Sequence, residues 1–137
     1  MIDIHATTVE IGGVGVLLRG PSGSGKSDLA LRLLDAGARL VADDRTFLRR
    51  EGGRVVASAP ATIAGRLEVR GIGIMTVPAV DAAVVGLVVD LVAGPVERLP
   101  EPCSVRLLEV DFPLVRLAPF EASAVAKLRL AARALAG

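Results

Sequence analysis

The stretch Gly20-Pro21-Ser22-Gly23-Ser24-Gly25-Lys26-Ser27 sets glycines, an ammonium and a hydroxyl at spacings that suit a polyphosphate. It fits G-x-x-x-x-G-K-[ST] at every fixed position. Glycines let a backbone turn inward until successive N–H groups converge on phosphate oxygens, and the N-terminus of a following helix adds its dipole. Lys26 would reach the β- and γ-phosphates, and the Ser27 hydroxyl would ligate Mg²⁺. An apolar run, Val14 to Leu18, precedes the stretch, and the helix-patterned Asp28 to Leu34 follows it. A strand–turn–helix with no ligand would also accommodate the glycines. It gives no reason for the lysine and the hydroxyl that follow them.

Phosphoryl transfer also needs a carboxylate to hold metal or to take a proton from the attacking group. Asp43 and Asp44 close the short apolar segment Arg39-Leu40-Val41-Ala42, where an open α/β sheet places such groups. Adjacent residues on an extended backbone point to opposite faces, so one of the two is expected to face the nucleotide. Asp is equally at home in a helix cap or a turn. Glu68 stands in Leu67-Glu68-Val69-Arg70-Gly71, whose alternation also describes an ordinary solvated strand face. Asp90 ends Gly86-Leu87-Val88-Val89, but Leu91 and Val92 continue the run, so it ranks behind the other three. His5 is the only histidine, and near a terminus such a residue is commonly structural or merely exposed.

The elements that must position these groups follow from periodicity and turn chemistry. Ile2–His5 and Val9–Ile11 read as strands, with Gly12-Gly13 turning into a third, Val14–Leu18. The helix after the loop should end near Ala36 with Gly37 as its cap. Glu51-Gly52-Gly53 joins Phe47–Arg50 to Arg54–Ser58 as a hairpin. Further strands are expected at Leu67–Arg70, Val84–Leu91, Ser104–Val110 and Leu114–Leu117, with a glycine-interrupted apolar segment from Gly71 to Met75. A last helix should span about Phe120 to Leu135. Many strands and only two convincing helices indicate an α/β fold: one domain over residues 1–137, a P-loop-containing mixed sheet with few helices.

Composition narrows the function further. A net charge of +1 lacks the basic excess of a nucleic-acid binder, and three phenylalanines with no Trp or Tyr offer little for base stacking on an open platform. The longest uncharged stretch runs from Val55 to Gly65, shorter than the roughly 20 apolar residues of a membrane span. Met1-Ile2-Asp3-Ile4 has no basic segment and no secretory pattern. Cys103 is alone and is expected at a core or edge position. A cytoplasmic location is the expectation. The charge-poor stretch Val77 to Leu91 suggests apolar surface that a monomer would leave exposed.

Several of these segments together resemble the catalytic domain of bacterial HPr kinase/phosphorylase. They are Ile4-His5, Gly13 to Leu18, the loop Gly20 to Ser27, Gly37-Ala38-Arg39-Leu40-Val41-Ala42-Asp43-Asp44, and Leu67-Glu68-Val69-Arg70-Gly71-Ile72-Gly73-Ile74. The last is close to that family's signature, and the similarity runs from about Ile4 to Leu99. The resemblance implies a fold similar to phosphoenolpyruvate carboxykinase, and transfer of phosphate from ATP or pyrophosphate to a serine of the phosphocarrier HPr, reversible with inorganic phosphate. It implies Lys26 on the phosphates, Ser27 and Glu68 as Mg²⁺ ligands, and Asp44 as general base, or as general acid in reverse. His5 and Arg98, the latter in Glu97-Arg98-Leu99, become active-site residues. A homo-oligomer, a hexamer in the family, is implied as well. Larger members carry an extra N-terminal domain, and the chain resembles the short form made of the C-terminal catalytic domain alone. Their arginine- and glycine-rich loop before the last helix is replaced here by Arg116-Leu117-Ala118-Pro119-Phe120-Glu121.

Two functions from different classes fit these residues. One is an ATP- and Mg²⁺-dependent serine kinase acting on an HPr-like phosphocarrier, with or without reverse phosphorolysis. The other is a nucleotide-sensing module that binds ATP without efficient transfer. A sensor needs the loop but no base, so the presence of Asp44 and Glu68 favours the kinase. A small-molecule kinase would need a substrate pocket that the sequence does not locate.

Overall fold

The computed structural model describes residues 1–136. Strands β1 (Ile2–Ile11) and β2 (Val14–Arg19) form a hairpin across Gly12 and Gly13, whose φ of 56° and 89° suit the tight turn that matches strand twist. After the glycine-rich loop comes helix α1 (Lys26–Asp35), then β3 (Arg39–Ala42), β4 (Arg45–Glu51) and β5 (Arg54–Ser58). A 3-10 turn at Ala61–Ile63 leads to β6 (Arg66–Val69) and β7 (Gly73–Thr76). The chain finishes with β8 (Ala82–Leu91), β9 (Ser104–Leu107), β10 (Val110–Leu117) and α2 (Ala124–Ala136).

Two long strands organise the sheet. β1 pairs with β4 through Ile2–His5, and further along with β2 and β3. β8 pairs with β5 through residues 82–84, then with β2 and β10. The path β2-β1-β4-β5-β8 therefore returns to β2 and closes on itself. Most pairings are antiparallel, but β2, β8 and β10 run parallel to one another. Their carboxyl ends, at Arg19, Leu91 and Leu117, consequently lie side by side. The mixed sheet with two helices is the architecture expected from the sequence.

Strand alternation divides the core in two. Val16 and Leu18 of β2 and Leu87 and Val89 of β8 face the helices, packing with Leu29 and Leu33 of α1 and Leu128 and Ala132 of α2. Leu17 and Val88, one residue out of phase, pack on the opposite side with Leu48, Val55, Ala57 and Phe112. Gly15 is required where β2 meets β8: a Cβ there would stand 2.7 Å from the Val84 carbonyl oxygen.

Several boundaries differ from the sequence reading, each for a tertiary reason. The two strands expected before Gly12 are one, because different partners hydrogen-bond to the two halves of β1. The strand expected over Ser104–Val110 is broken by a turn at Leu108 and Glu109, both at positive φ (49° and 66°) with no glycine to announce it. α2 starts at Ala124, since residues 118–121 form a turn closed by Glu121 N–H to Ala118 O. Most of the stretch Val77 to Leu91 is not exposed apolar surface: Val80 donates to the Leu40 carbonyl at 2.9 Å along β3, and Val85 and Leu87 to Val89 are buried in β8, while Pro78, Ala79 and Ala82 are exposed. Exposed large apolar residues are found elsewhere, three of them together on the β6–β7 hairpin at Ile72, Ile74 and Met75. Cys103 is exposed, at the sheet edge where its carbonyl accepts from Leu114 N–H. Among the described residues no helix is long and apolar enough to cross a membrane.

Leu17 is fully buried in the core on the side of the sheet away from the helices. Leu17→Ala is expected to lower unfolding free energy by about 2–5 kcal/mol. In a urea titration the midpoint should fall while the slope stays unchanged.

Candidate functional site

The loop between β2 and α1 has the geometry of an anion cradle. Gly23 and Gly25 sit at φ 83° and 101°, values that only glycine adopts without strain. Ser24 N–H closes the loop on the Pro21 carbonyl at 3.0 Å. Gly25 is the N-cap of α1 and no side chain caps the helix, so its first amides remain available to a ligand. Ser24 Oγ is buried and has no hydrogen-bond partner among the described residues. Lys26 is only 6% exposed. Its ammonium donates to the Gly20 carbonyl at 2.7 Å and the Pro21 carbonyl at 3.1 Å. Both partners are neutral, and a buried charge without a countercharge is costly. Uncapped amides, an orphaned hydroxyl and an ammonium on neutral partners are the donor set that a polyphosphate satisfies.

Asp43 and Asp44 point different ways, and the backbone shows how. Arg45 N–H donates to the Asp43 carbonyl at 2.7 Å, a tight turn that puts Asp44 at φ 66°. Strand alternation therefore ends at Asp43. The buried Asp43 carboxylate accepts from Ser27 Oγ at 2.8 Å and Thr7 Oγ1 at 3.2 Å through one oxygen, and from Glu68 N–H at 3.1 Å through the other. Asp44 stays exposed, and its Oδ1 accepts from His5 Nε2 at 2.6 Å. Thr7 Oγ1 also accepts from Asp44 N–H at 3.0 Å, so one hydroxyl fixes both aspartates. Thr7 carried no sequence signal: its partners lie 36 and 37 positions away and only strand pairing brings them near. Arg45 pairs with Asp3, and that hydrogen bond, with the charges of Asp3 and, to a lesser degree, Asp44, holds its proton more tightly than usual.

The oxygens gathered at the start of α1 are the Ser27 hydroxyl and the Asp43 carboxylate that accepts from it, and Glu68 reaches them through its backbone amide. Leu67 points into the core, which turns Glu68 to the exposed face of β6. Among the described residues no three His, Cys, Asp or Glu side chains form a metal cage. An incomplete oxygen set of this kind suits Mg²⁺, which keeps waters and takes phosphate oxygens as ligands. Asp90 makes no hydrogen bond to Ser27, Asp43 or Asp44. It lies within β8 and accepts from Arg19 at 2.8 and 3.2 Å, directly across the pairing with β2.

His5, Lys26, Ser27, Asp43 and Asp44 are thus brought together, with Glu68 tied in through its backbone. Arg98 lies in an exposed segment that leaves the carboxyl end of β8, the same end of the sheet as the loop, with no hydrogen bond to these residues. The sequence reading missed Thr7 and also Phe120, whose ring packs on Gly25.

Comparison with known proteins gives one consistent result. The family described as HPr Serine kinase C-terminal domain matches residues 1–85. An HPr kinase/phosphorylase of Clostridium tetani is 39% identical over 95 residues, 64% of this chain and 31% of that protein. One from Prosthecochloris aestuarii is 39% identical over 128 residues, 84% of this chain and 38% of that protein. The chain thus spans less than two-fifths of the length of these relatives. The solved structure of the Hpr(Ser) kinase/phosphatase from Coxiella burnetii superposes with a TM-score of 0.81 at 28% identity, covering 99% of this chain and 94% of that one.

Replacing Asp43 by Ala would strand two hydroxyls and a backbone amide at once. We expect Asp43→Ala to lose about 1–3 kcal/mol in chemical denaturation. Asp44→Asn tolerates the positive φ and should lie within about 0.5 kcal/mol of the parent. Equal losses in the two variants would show that the Asp43 carboxylate does not hold these elements together.

Proposed function

Since this chain belongs to the HPr serine kinase C-terminal domain family, we propose that it is an ATP- and Mg²⁺-dependent kinase that phosphorylates a serine of an HPr-like phosphocarrier. The observation that carries the reading is the His5–Asp44 pair. It is an exposed carboxylate held by an imidazole, one residue beyond the aspartate hydrogen-bonded to Ser27 of the loop. The loop amides and Lys26 position the triphosphate. The carrier serine Oγ forms a bond to the γ-phosphorus as the bond to the β–γ bridging oxygen breaks and ADP leaves. The hydroxyl proton passes to Asp44. With Oδ1 engaged by His5, Oδ2 is the accepting atom. Ser27 and Glu68 would hold Mg²⁺, which when bound offsets the negative charge of the phosphates. Arg98 is proposed to approach the transferring group from the segment after β8. In the reverse direction Asp44 would return the proton as inorganic phosphate takes the phosphoryl group.

Incubation with γ-labelled ATP, Mg²⁺ and a purified HPr-type carrier tests this reading directly. Label should appear on the carrier serine. Asp44→Asn should lower transfer by roughly 10²–10⁴ while ATP still binds, because the amide cannot take the proton. Lys26→Ala should abolish measurable Mg–ATP binding in calorimetry, and Glu68→Gln should raise the Mg²⁺ concentration needed for half-maximal rate. Binding of ATP with no labelled carrier would replace the kinase by a nucleotide sensor.

The same reading makes the working unit a homo-oligomer. The Ile72, Ile74 and Met75 surface of the β6–β7 hairpin, in which Glu68 pairs with Ile74, supports a second copy as its cover. Light scattering should give a mass that is a multiple of 14.1 kDa. A fully active 14.1 kDa species would overturn the oligomer.

A further inference from the structure

Phe120 carries an exposed aromatic ring between two anchored neighbours. Pro119 is buried and its carbonyl accepts from Arg32 of α1, Arg32 itself pairs with Asp28, and Glu121 pairs with Lys127 of α2 at 2.7 Å. The ring is nevertheless 71% exposed. Its inner edge rests on the loop, since a Cβ on Gly25 would stand 2.8 Å from Phe120 Cζ. The segment follows β10, whose carboxyl end lies on the same side of the sheet as the loop after β2. That is the end of an open α/β sheet at which nucleotides bind.

From this placement we infer that Phe120 is the stacking wall for the nucleotide base. The inference rests on the phosphate-binding reading of the loop and goes beyond it to donor selectivity. Phosphates held by the Gly25–Lys26–Ser27 amides force the sugar and base to leave across the rim of the loop, and on one side that rim is the Phe120 ring. A base laid on the ring covers apolar surface that is otherwise in water, and any base has a π-face to offer. Of the other two phenylalanines, Phe112 is buried in the sheet core and Phe47 lies in β4. Phe120 acts on the nucleoside and does not touch the transferring phosphorus. It is a specificity residue.

The chain contains no tryptophan, so Phe120→Trp introduces a single reporter at the proposed wall. With Mg²⁺ present, ATP and inorganic tripolyphosphate are titrated into the parent, Phe120→Ala and Phe120→Trp proteins. Phe120→Ala should weaken ATP by roughly 10-fold and leave tripolyphosphate unchanged, as loss of one stacked base requires. Phe120→Trp should keep or improve ATP affinity, with its fluorescence quenched by ATP and not by tripolyphosphate. Equal weakening of both ligands in Phe120→Ala would mean that the ring only props up the loop and would overturn the inference. Undiminished ATP binding in Phe120→Ala would overturn it too. A parent that binds neither ligand would remove the phosphate-binding reading itself, an outcome distinct from both.

Discussion

One buried carboxylate holds the site together. Asp43 receives hydrogen bonds from the loop helix through Ser27, from β1 through Thr7 and from the β6–β7 hairpin through the Glu68 amide. These elements are remote in sequence, and their backbones share few other polar contacts. A carboxylate can accept several donors at once, and donors to a charged group contribute about twice what neutral pairs do. The burial of its charge is tolerable because both oxygens are engaged. Ser27 cannot swing away from the loop, and the strand bearing Glu68 cannot drift from it, without leaving that charge unpaired.

The sheet decides where this junction lies. β1 and β8 are each long enough to serve two sets of partners, so the β-structure curls closed and yet keeps a parallel portion. In that portion β2, β8 and β10 end together, and what leaves their carboxyl ends is the glycine-rich loop, the segment with Arg98 and the turn with Phe120. An antiparallel sheet would scatter these connections over both ends. The parallel trio gathers them over one edge, while α1 and α2 cover the apolar face behind it.

Charge is distributed with similar economy. The chain is nearly neutral, but its charges are sorted by local partner. Arg19 with Asp90, Arg39 with Glu10 and Arg32 with Asp28 pair across neighbouring strands or one helical turn, where they organise surfaces and contribute little to stability. Among the described residues, Lys26 alone is buried on neutral carbonyls, and Asp44 alone combines positive φ with an imidazole contact. Strained backbone costs about 1–3 kcal/mol and persists where its surroundings enforce it. Thr7 and the turn from Asp43 to Arg45 enforce it here.

The sequence by itself determined the parts that depend on local chemistry. Gly12-Gly13 dictates a tight hairpin, the loop from Gly20 to Ser27 dictates an anion cradle, and period-two alternation separates Leu17 from Val16 and Leu18 on opposite faces of β2. It also marked Asp43 and Asp44 as candidates, because they end a short apolar segment with groups able to do chemistry, whereas His5 and Glu68 gained their roles only from the family resemblance. Pattern and spacing did not separate the roles of Asp43 and Asp44, and only the family resemblance gave the base to Asp44. Alternation implied opposite faces, but the positive φ at Asp44 is imposed by hydrogen bonds to Thr7 and Asp43, and neither is visible in one dimension. Nor did it find Thr7 or Phe120. A threonine in a strand and a phenylalanine before a helix are ordinary residues until pairing between strands distant in sequence brings one against two aspartates and the other against Gly25. Tertiary structure decided these roles because they rest on contacts between residues 36 or more positions apart.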